Sequence, residues 1–205
     1  MGFYADRVVP HVVNAACGSK SMAPMRTRVC AGLHGNVVEI GFGSGHNVPH
    51  YPREVARVAA VEPADVGWKL AEKRIRESSV LIERSGLDGQ SLPFADHSYD
   101  AALSTWTLCT VPDAALALAE LRRVLKPGGV LHFAEHGLAP DENVRRWQRR
   151  LDPLQVRACA GCHFTRPVVD MLTAAGFTIT ELDEFYQKGA PKFAAAQSLG
   201  VAVSP

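Results

Sequence analysis

Val37-Val38-Glu39-Ile40-Gly41-Phe42-Gly43-Ser44-Gly45-His46-Asn47 is the stretch on which the reading of the fold turns. A β-branched run enters glycines at alternate positions and then a segment that heads towards a helix. Glycine has no Cβ, so the backbone there can turn sharply and come close to a ligand. In an open α/β sheet such a loop sits at the carboxyl end of the first strand, where ligands bind. The spacing narrows the choice. A dinucleotide site follows G-x-G-x-x-G, whose third glycine would fall where His46 stands; here that glycine comes one residue early, at Gly45. A phosphate-cradling P-loop needs G-x-x-x-x-G-K-[ST], which is also absent.

Outward from this loop, short β-branched runs alternate with helix-patterned stretches. The runs are Asn36–Ile40, Val58–Val61, Val80–Glu83, Tyr99–Ser104 and Val130–Ala134; the helical stretches are Ala64–Glu77 and Pro112–Leu125. That rhythm predicts βαβ units on a mostly parallel sheet. In the second helix Pro112 suits the first turn. Leu116, Ala119, Leu121 and Leu125 supply apolar positions, and Lys126-Pro127-Gly128-Gly129 stops it. Residues 1–33 are expected to form a helical cap. The last third continues with polar Asp141–Arg150, then Leu151–Cys162, a helix over Arg166–Ala175 and strands near Phe177–Phe185 and Ala194–Val203.

The 205 residues are 47% hydrophobic, 7% aromatic and 21% charged, the profile of one ordinary globular domain spanning 1–205. Lys plus Arg number 22 against 21 for Asp plus Glu, so charge alone does not point to nucleic acid. No secretory signal and no run of apolar residues long enough to cross a membrane is read, and the five cysteines are scattered. The expectation is a cytoplasmic protein with no nucleic-acid partner and no stable membrane insertion.

A G-x-G-x-G turn preceded by Glu39 suits a nucleoside that carries an amino acid in place of a diphosphate. Glu39 would accept from the ammonium group directly or through water; a turn that merely joins strand to helix is the competing reading. Glu62-Pro63 ends the second strand about 20 residues beyond the loop, where an acidic side chain can hold both ribose hydroxyls. Alternatively, Glu62 is only a solvated carboxylate. After the third strand, Asp88 would accept from an adenine amino group with the Gly89 and Gln90 backbone beside the ring, or would simply form an Asx turn.

Together Glu39-x-Gly41-x-Gly43-x-Gly45, Glu62, Asp88, Leu92-Pro93-Phe94, Tyr99-Asp100 and Leu125-Lys126-Pro127-Gly128-Gly129 resemble the ordered motifs of class I S-adenosylmethionine-dependent methyltransferases. Within that class, they resemble the ubiquinone and menaquinone biosynthesis group. The resemblance implies a Rossmann-like sheet of seven strands, the last antiparallel, with helices on both faces. It also implies S-adenosylmethionine as cofactor and S-adenosylhomocysteine as product. Gly45-His46-Asn47, Tyr51-Pro52, Leu108-Cys109-Thr110-Val111, Glu135-His136, Leu151-Asp152-Pro153 and Gly161-Cys162-x-x-Thr165-Arg166 are similar to thiol methyltransferases of the methyltransferase-like-seven type. Members of that branch can carry an apolar N-terminal membrane anchor, and none is read here.

The expected reaction is in-line methyl displacement onto a small molecule, a thiol or an apolar metabolite. Expected cofactor contacts are Glu39, Gly41, Gly43, Gly45, Asn47, Glu62, Pro63, Asp88, Gly89, Gln90, Ser104 and Thr105. Thiols are already partly ionised near neutrality, so little base is required. Candidates for that base are His136, at the end of the fifth strand, and Asp152, followed by His46 and His163. Tyr4, Trp106, Cys109 and His163 are expected to line the acceptor pocket, with residues 138–165 as a lid. Trp106 either walls the pocket, attracts a sulfonium through its ring, or is core. Cys159-Ala160-Gly161-Cys162-His163 spells C-x-x-C-H; an ordinary lid segment is placed ahead of a redox pair, zinc and haem, so no metal is expected. Arg145-Arg146 and Arg149-Arg150 read as a solvated helix face. The rival functions are a nicotinamide-dependent oxidoreductase and a non-catalytic cofactor-binding module.

Overall fold

A computed structural model describes residues 14, 17–159 and 161–205; Tyr4, with the rest of 1–13 and residues 15 and 16 of the expected cap, lies outside the described residues. Helix α1 (Ala23–Cys30) precedes β1 (Gly35–Ile40), β2 (Val55–Val61), α2 (Asp65–Arg76), β3 (Leu81–Gly86) and β4 (Tyr99–Thr105). Then follow α3 (Ala114–Val124), β5 (Leu125–His136), α4 (Glu142–Ala158), α5 (Val168–Ala174), β6 (Thr178–Tyr186), α6 (Lys192–Ala195) and β7 (Ala196–Val203). The strands form one sheet in the order β3-β2-β1-β4-β5-β7-β6. β7 runs antiparallel to both its neighbours, and the β1, β2, β3, β4 and β5 pairs are parallel. The expected architecture is the one observed.

Alternation along β1 divides the core. Val38 and Ile40 join α3 and α5 residues such as Leu118, Leu121 and Leu172 on one face, while Val37 packs with Val29 of α1 and Ala71 of α2 on the other. Successive side chains of a strand point to opposite faces, so a parallel sheet covered on both sides needs apolar residues on each face, with Glu39 the buried polar exception in β1. Fully burying a single side chain such as Phe133, at 0% exposure, contributes about 1.5–3 kcal/mol.

Four local expectations are corrected. Helix α3 begins at Ala114, because the Asp113 carboxylate accepts from the Ala115 and Leu116 amides at 3.0 Å each and caps it; Pro112 lies before the cap. Its buried stripe is Ala114, Ala117, Leu118, Leu121 and Val124, leaving Leu116 and Ala119 exposed. The helix ends at Val124 since Leu125 already pairs with Tyr99 in the sheet. Asp141–Arg150 and Leu151–Cys162 are not separate pieces but largely one helix, α4, with Pro153 inside it.

The chain order reverses across β1: β2 and β3 lie to one side, β4 and β5 to the other. The carboxyl ends come level there, with Ile40 opposite both Val61 and Ser104, and Thr105 opposite Ala134. A crevice at such a switch point is the ligand-binding position of open α/β sheets.

Candidate active site

The first half of the crevice is the glycine turn. Gly41, Gly43 and Gly45 all hold positive φ, at 66°, 58° and 73°. Their reasons differ. A Cβ on Gly41 would run into the Thr107 hydroxyl, so packing inside the protein forbids a side chain there. At Gly43 the nearest atom to such a Cβ would be the Gly41 carbonyl at 3.8 Å, so that side of the turn is an open cradle which a methyl group would begin to fill. The Gly43 amide donates to Glu62 Oε2 at 2.6 Å and the Ala64 amide to Glu62 Oε1 at 2.7 Å. One carboxylate thus joins the first turn to the second. Each oxygen retains a lone pair for a further donor such as a ribose hydroxyl. Burial raises the Glu62 carboxyl above its ordinary range, against the two amides that favour its charge. Pro63 follows directly, and its carbonyl, like that of Glu62, receives Arg84.

Behind the turn lies a buried polar network. Glu39, 1% exposed, accepts from Asn47 Nδ2 at 2.8 Å and from the Tyr51 hydroxyl. Asn47 also donates to Thr105 Oγ1 at 2.9 Å and accepts from Arg26 Nη1 at 2.6 Å. Burial pushes the Glu39 carboxyl up to about 7 despite Tyr51, Asn47 and Arg26. The side chains of Glu39, Asn47 and Thr105 are therefore bonded to one another. Ser104, fully buried, is turned elsewhere and donates to Glu135 Oε1 at 2.7 Å. Glu135 also receives the Thr107 amide at 3.0 Å, and its Oε2 is buried without a protein partner. Arg26 and Tyr51 complete the network from outside the glycine loop. An arginine in an N-terminal helix carries no spacing signal, and Tyr51 is legible only as part of the Tyr51-Pro52 motif.

After β3, Asp88 Oδ1 accepts from the Gln90 backbone amide at 2.8 Å and from its side chain at 3.1 Å, an Asx turn. The turn brings Gly89 over the end of β1, where a Cβ would lie 3.6 Å from Ile40 Cγ2.

The second half of the crevice follows β4. Trp106 is half-buried with φ of 52°, a conformation costly for a bulky residue and of the kind stored at functional sites. Its indole donates to Gln197 Oε1 at 2.9 Å, and the Arg26 guanidinium stands 4.7 Å from its ring centre, so the cation over this ring belongs to the protein. Cys109, His136 and Cys162 meet beyond it: Cys162 Sγ is 3.5 Å from Cys109 Sγ and 3.0 Å from His136 Nε2. Arg166 rivets the arrangement by donating to the Leu108 and Val111 carbonyls of the Cys109 loop. The Cys109 contact and, against burial, His136 hold the Cys162 thiol down at about 4. Burial opposes charging of His136, yet Cys162 beside it raises the imidazole above its usual range.

Cys159 is absent from this cluster, so the C-x-x-C spacing does not describe the thiols that actually meet. Asp152 does not stand free either. Its Oδ2 lies 2.9 Å from His163 Nδ1 and its Oδ1 accepts from the Phe164 amide at 2.6 Å. His46 is tied to the Asn14 carbonyl at 3.1 Å, and burial with the Arg74 and Arg26 charges lowers it to about 4. It is neutral at pH 7. The expected lid over 138–165 is α4 and the turn after it. Gln148, 1% exposed, anchors that helix through the Ala139 amide and the Gly137 and Phe193 carbonyls. No described helix is long and apolar enough to cross a membrane.

Comparison with known proteins converges on the same segment. Residues 38–133 match the methyltransferase domain family model. Thiol S-methyltransferase TMT1B of Rattus norvegicus is 34% identical over 153 residues, covering 72% of this chain and 62% of that protein. The chain thus matches about six-tenths of the length of this curated relative. A phthiotriol/phenolphthiotriol dimycocerosates methyltransferase of Mycobacterium tuberculosis is 30% identical over 123 residues, 59% of this chain and 44% of that one. An S-adenosylmethionine dependent methyltransferase from Mesorhizobium loti superposes with a TM-score of 0.64 over 91% of this chain and 98% of its own, at 19% identity, which speaks to the fold alone. With the β3-β2-β1-β4-β5-β7-β6 sheet, these matches show a methyltransferase domain over residues 38–133, set in the fold of class I S-adenosylmethionine-dependent methyltransferases.

Proposed function

We propose that the protein transfers the methyl group of S-adenosylmethionine to the sulfur of a small-molecule thiol with an apolar body, releasing S-adenosylhomocysteine. The observation that carries the cofactor assignment is the open cradle at Gly43, whose amide is held by a Glu62 carboxylate with acceptor capacity to spare. Gly41 and Gly45 shape the turn, Glu62 and Pro63 stand for the ribose, and Asp88, Gly89 and Gln90 for the base. Glu39, Asn47, Ser104 and Thr105 support the floor below. When bound, the cofactor supplies a methyl group on a positively charged sulfur, already activated for displacement.

The chain's own task is then to bind, align and dry. Alignment of nucleophile and methyl group can lower the barrier by about 7–11 kcal/mol. Trp106 and the loop bearing Cys109 wall the acceptor side. Tyr4 is proposed to close it from the N-terminal segment. Asp152 orients His163 through the 2.9 Å bond, and we assign to this pair the acceptance of the thiol proton. His136, engaged with Cys162, is left to the wall of the pocket. The likeness to the rat thiol S-methyltransferase favours sulfur over oxygen or carbon as the acceptor. The same reading includes a reducing, cytoplasmic setting, no nucleic-acid partner and no stable membrane insertion.

The test is release of S-adenosylhomocysteine from S-adenosylmethionine with a panel of thiols, phenols, amines and quinols, alongside binding titrations with S-adenosylhomocysteine and NADH. Turnover confined to or dominated by thiols is expected. Equal rates with every acceptor remove the thiol assignment. Tight NADH binding without S-adenosylhomocysteine binding replaces the reading with an oxidoreductase, and cofactor binding without turnover on any acceptor leaves a binding module.

A further inference from the structure

We propose that Cys109 Sγ, His136 Nε2 and Cys162 Sγ form a binding site for one thiophilic divalent cation of the zinc class. The three donor atoms come from separate segments: the loop after β4, the end of β5 and the turn after α4. All lie within 4.8 Å of one another, with both cysteines buried. A tetrahedral zinc ion, with bonds of about 2.3 Å to sulfur and about 2.0–2.1 Å to nitrogen, sets its ligand atoms about 3.5–3.8 Å apart. The observed separations of 3.5 Å between the sulfurs and 3.0 Å between Cys162 and His136 need only a small outward adjustment.

Charge and ligand type agree with this geometry. Thiolate and imidazole are the donors zinc prefers, and two thiolates neutralise a divalent ion, so the loaded site can sit in a buried place without net charge. His136 Nδ1 has no protein partner and is left to carry the ring proton when Nε2 is the ligand. A structural site in this protein, built on C-x-x-C spacing, would have used Cys159, which lies outside the cluster. Three protein donors leave a tetrahedral ion one open position, as in reactive rather than closed zinc sites. That position would take a thiol as its thiolate; this last step alone rests on the methyl-transfer reading.

The test uses full-length protein, reduced and stripped with a chelator, titrated with cobalt(II) and then zinc(II). One equivalent of cobalt should give thiolate-to-metal charge transfer and the intense visible bands of four-coordinate cobalt, displaced by one equivalent of zinc. Cys109→Ser, Cys162→Ser and His136→Ala should each abolish stoichiometric binding, and Cys159→Ser should leave it unchanged. Circular dichroism and S-adenosylhomocysteine titration identify variants that fold, so loss of metal is read only on those. Should the Cys109 and Cys162 variants not fold, the His136 variant and a zinc-dependent rise in the melting temperature of the unmodified protein carry the decision. Absence of stoichiometric cobalt in folded protein that binds S-adenosylhomocysteine overturns the proposal, as does binding that survives in the Cys109→Ser/Cys162→Ser double variant. Added benzenethiol should shift the cobalt bands without S-adenosylmethionine present; unshifted bands overturn the open position while the metal site stands.

Discussion

Gly43→Ala separates what the glycine turn does for the fold from what it does for a ligand. Gly43 has φ of 58°, a region that costs an L-residue roughly 1–2 kcal/mol. The new Cβ would meet nothing nearer than a carbonyl oxygen at 3.8 Å, so no clash adds to that cost. For a protein of this size each kcal/mol shifts the melting temperature by about 2–4 °C, which makes the expected loss about 2–8 °C. The same methyl group stands in the cradle. It should weaken S-adenosylhomocysteine by at least about tenfold, or ~1.4 kcal/mol, a loss of binding read separately from the loss of stability. Gly41→Ala is the counterpart, because its Cβ collides with Thr107, whose hydroxyl is already bonded to the Ile40 and Thr105 carbonyls. That variant should lose more stability than Gly43→Ala. Calorimetric titration with S-adenosylhomocysteine and thermal denaturation, run on both variants, give the comparison. Unaltered affinity in Gly43→Ala, or a stability loss equal to that of Gly41→Ala, refutes the assignment of an open cradle.

Glu39 is held at about 7 in the fold against 4.5 ordinarily, chiefly by burial, so the folded state binds its proton more tightly than the unfolded chain does. Its contribution to stability is complete below about 4.5 and is lost as pH rises towards about 7, an upper figure of about 3 kcal/mol. Denaturant titrations of Glu39→Gln between these limits should show a shallower decline than the unmodified protein. The decline should not vanish, since Glu62 and Glu135 are also raised by burial. An unchanged slope contradicts the buried-carboxyl account. Asp113→Ala removes the cap accepting two α3 amides and should cost about 1 kcal/mol, read as a melting temperature lower by about 2–4 °C. Asp152→Asn should cut thiol methylation while leaving S-adenosylhomocysteine affinity as it was, because Asp152 bonds to His163 and Phe164 rather than to the glycine turn; parallel turnover and binding measurements check this.

The linear sequence by itself determined the sheet and the glycine turn at the end of its first strand. Val37–Ile40 must be buried on both faces, and glycine is required where φ is positive, so both leave marks in residue type and spacing that need no partner to be read. Glu62 is legible for the same reason, since it follows a strand at a fixed distance from the loop. Tertiary structure alone decided which side chains spend their hydrogen bonds on one another. Asn47 and Ser104 read as ligand contacts but are bound to Glu39, Arg26, Thr105 and Glu135. It also decided that Cys162 meets Cys109 and His136, with no role for Cys159. Those partners lie 53 and 26 positions away from Cys162. Periodicity and motif spacing register what neighbouring residues share along one strand or turn. Contacts between loops at different strand ends arise only when the sheet brings those ends level and a group such as Arg166 pins them together.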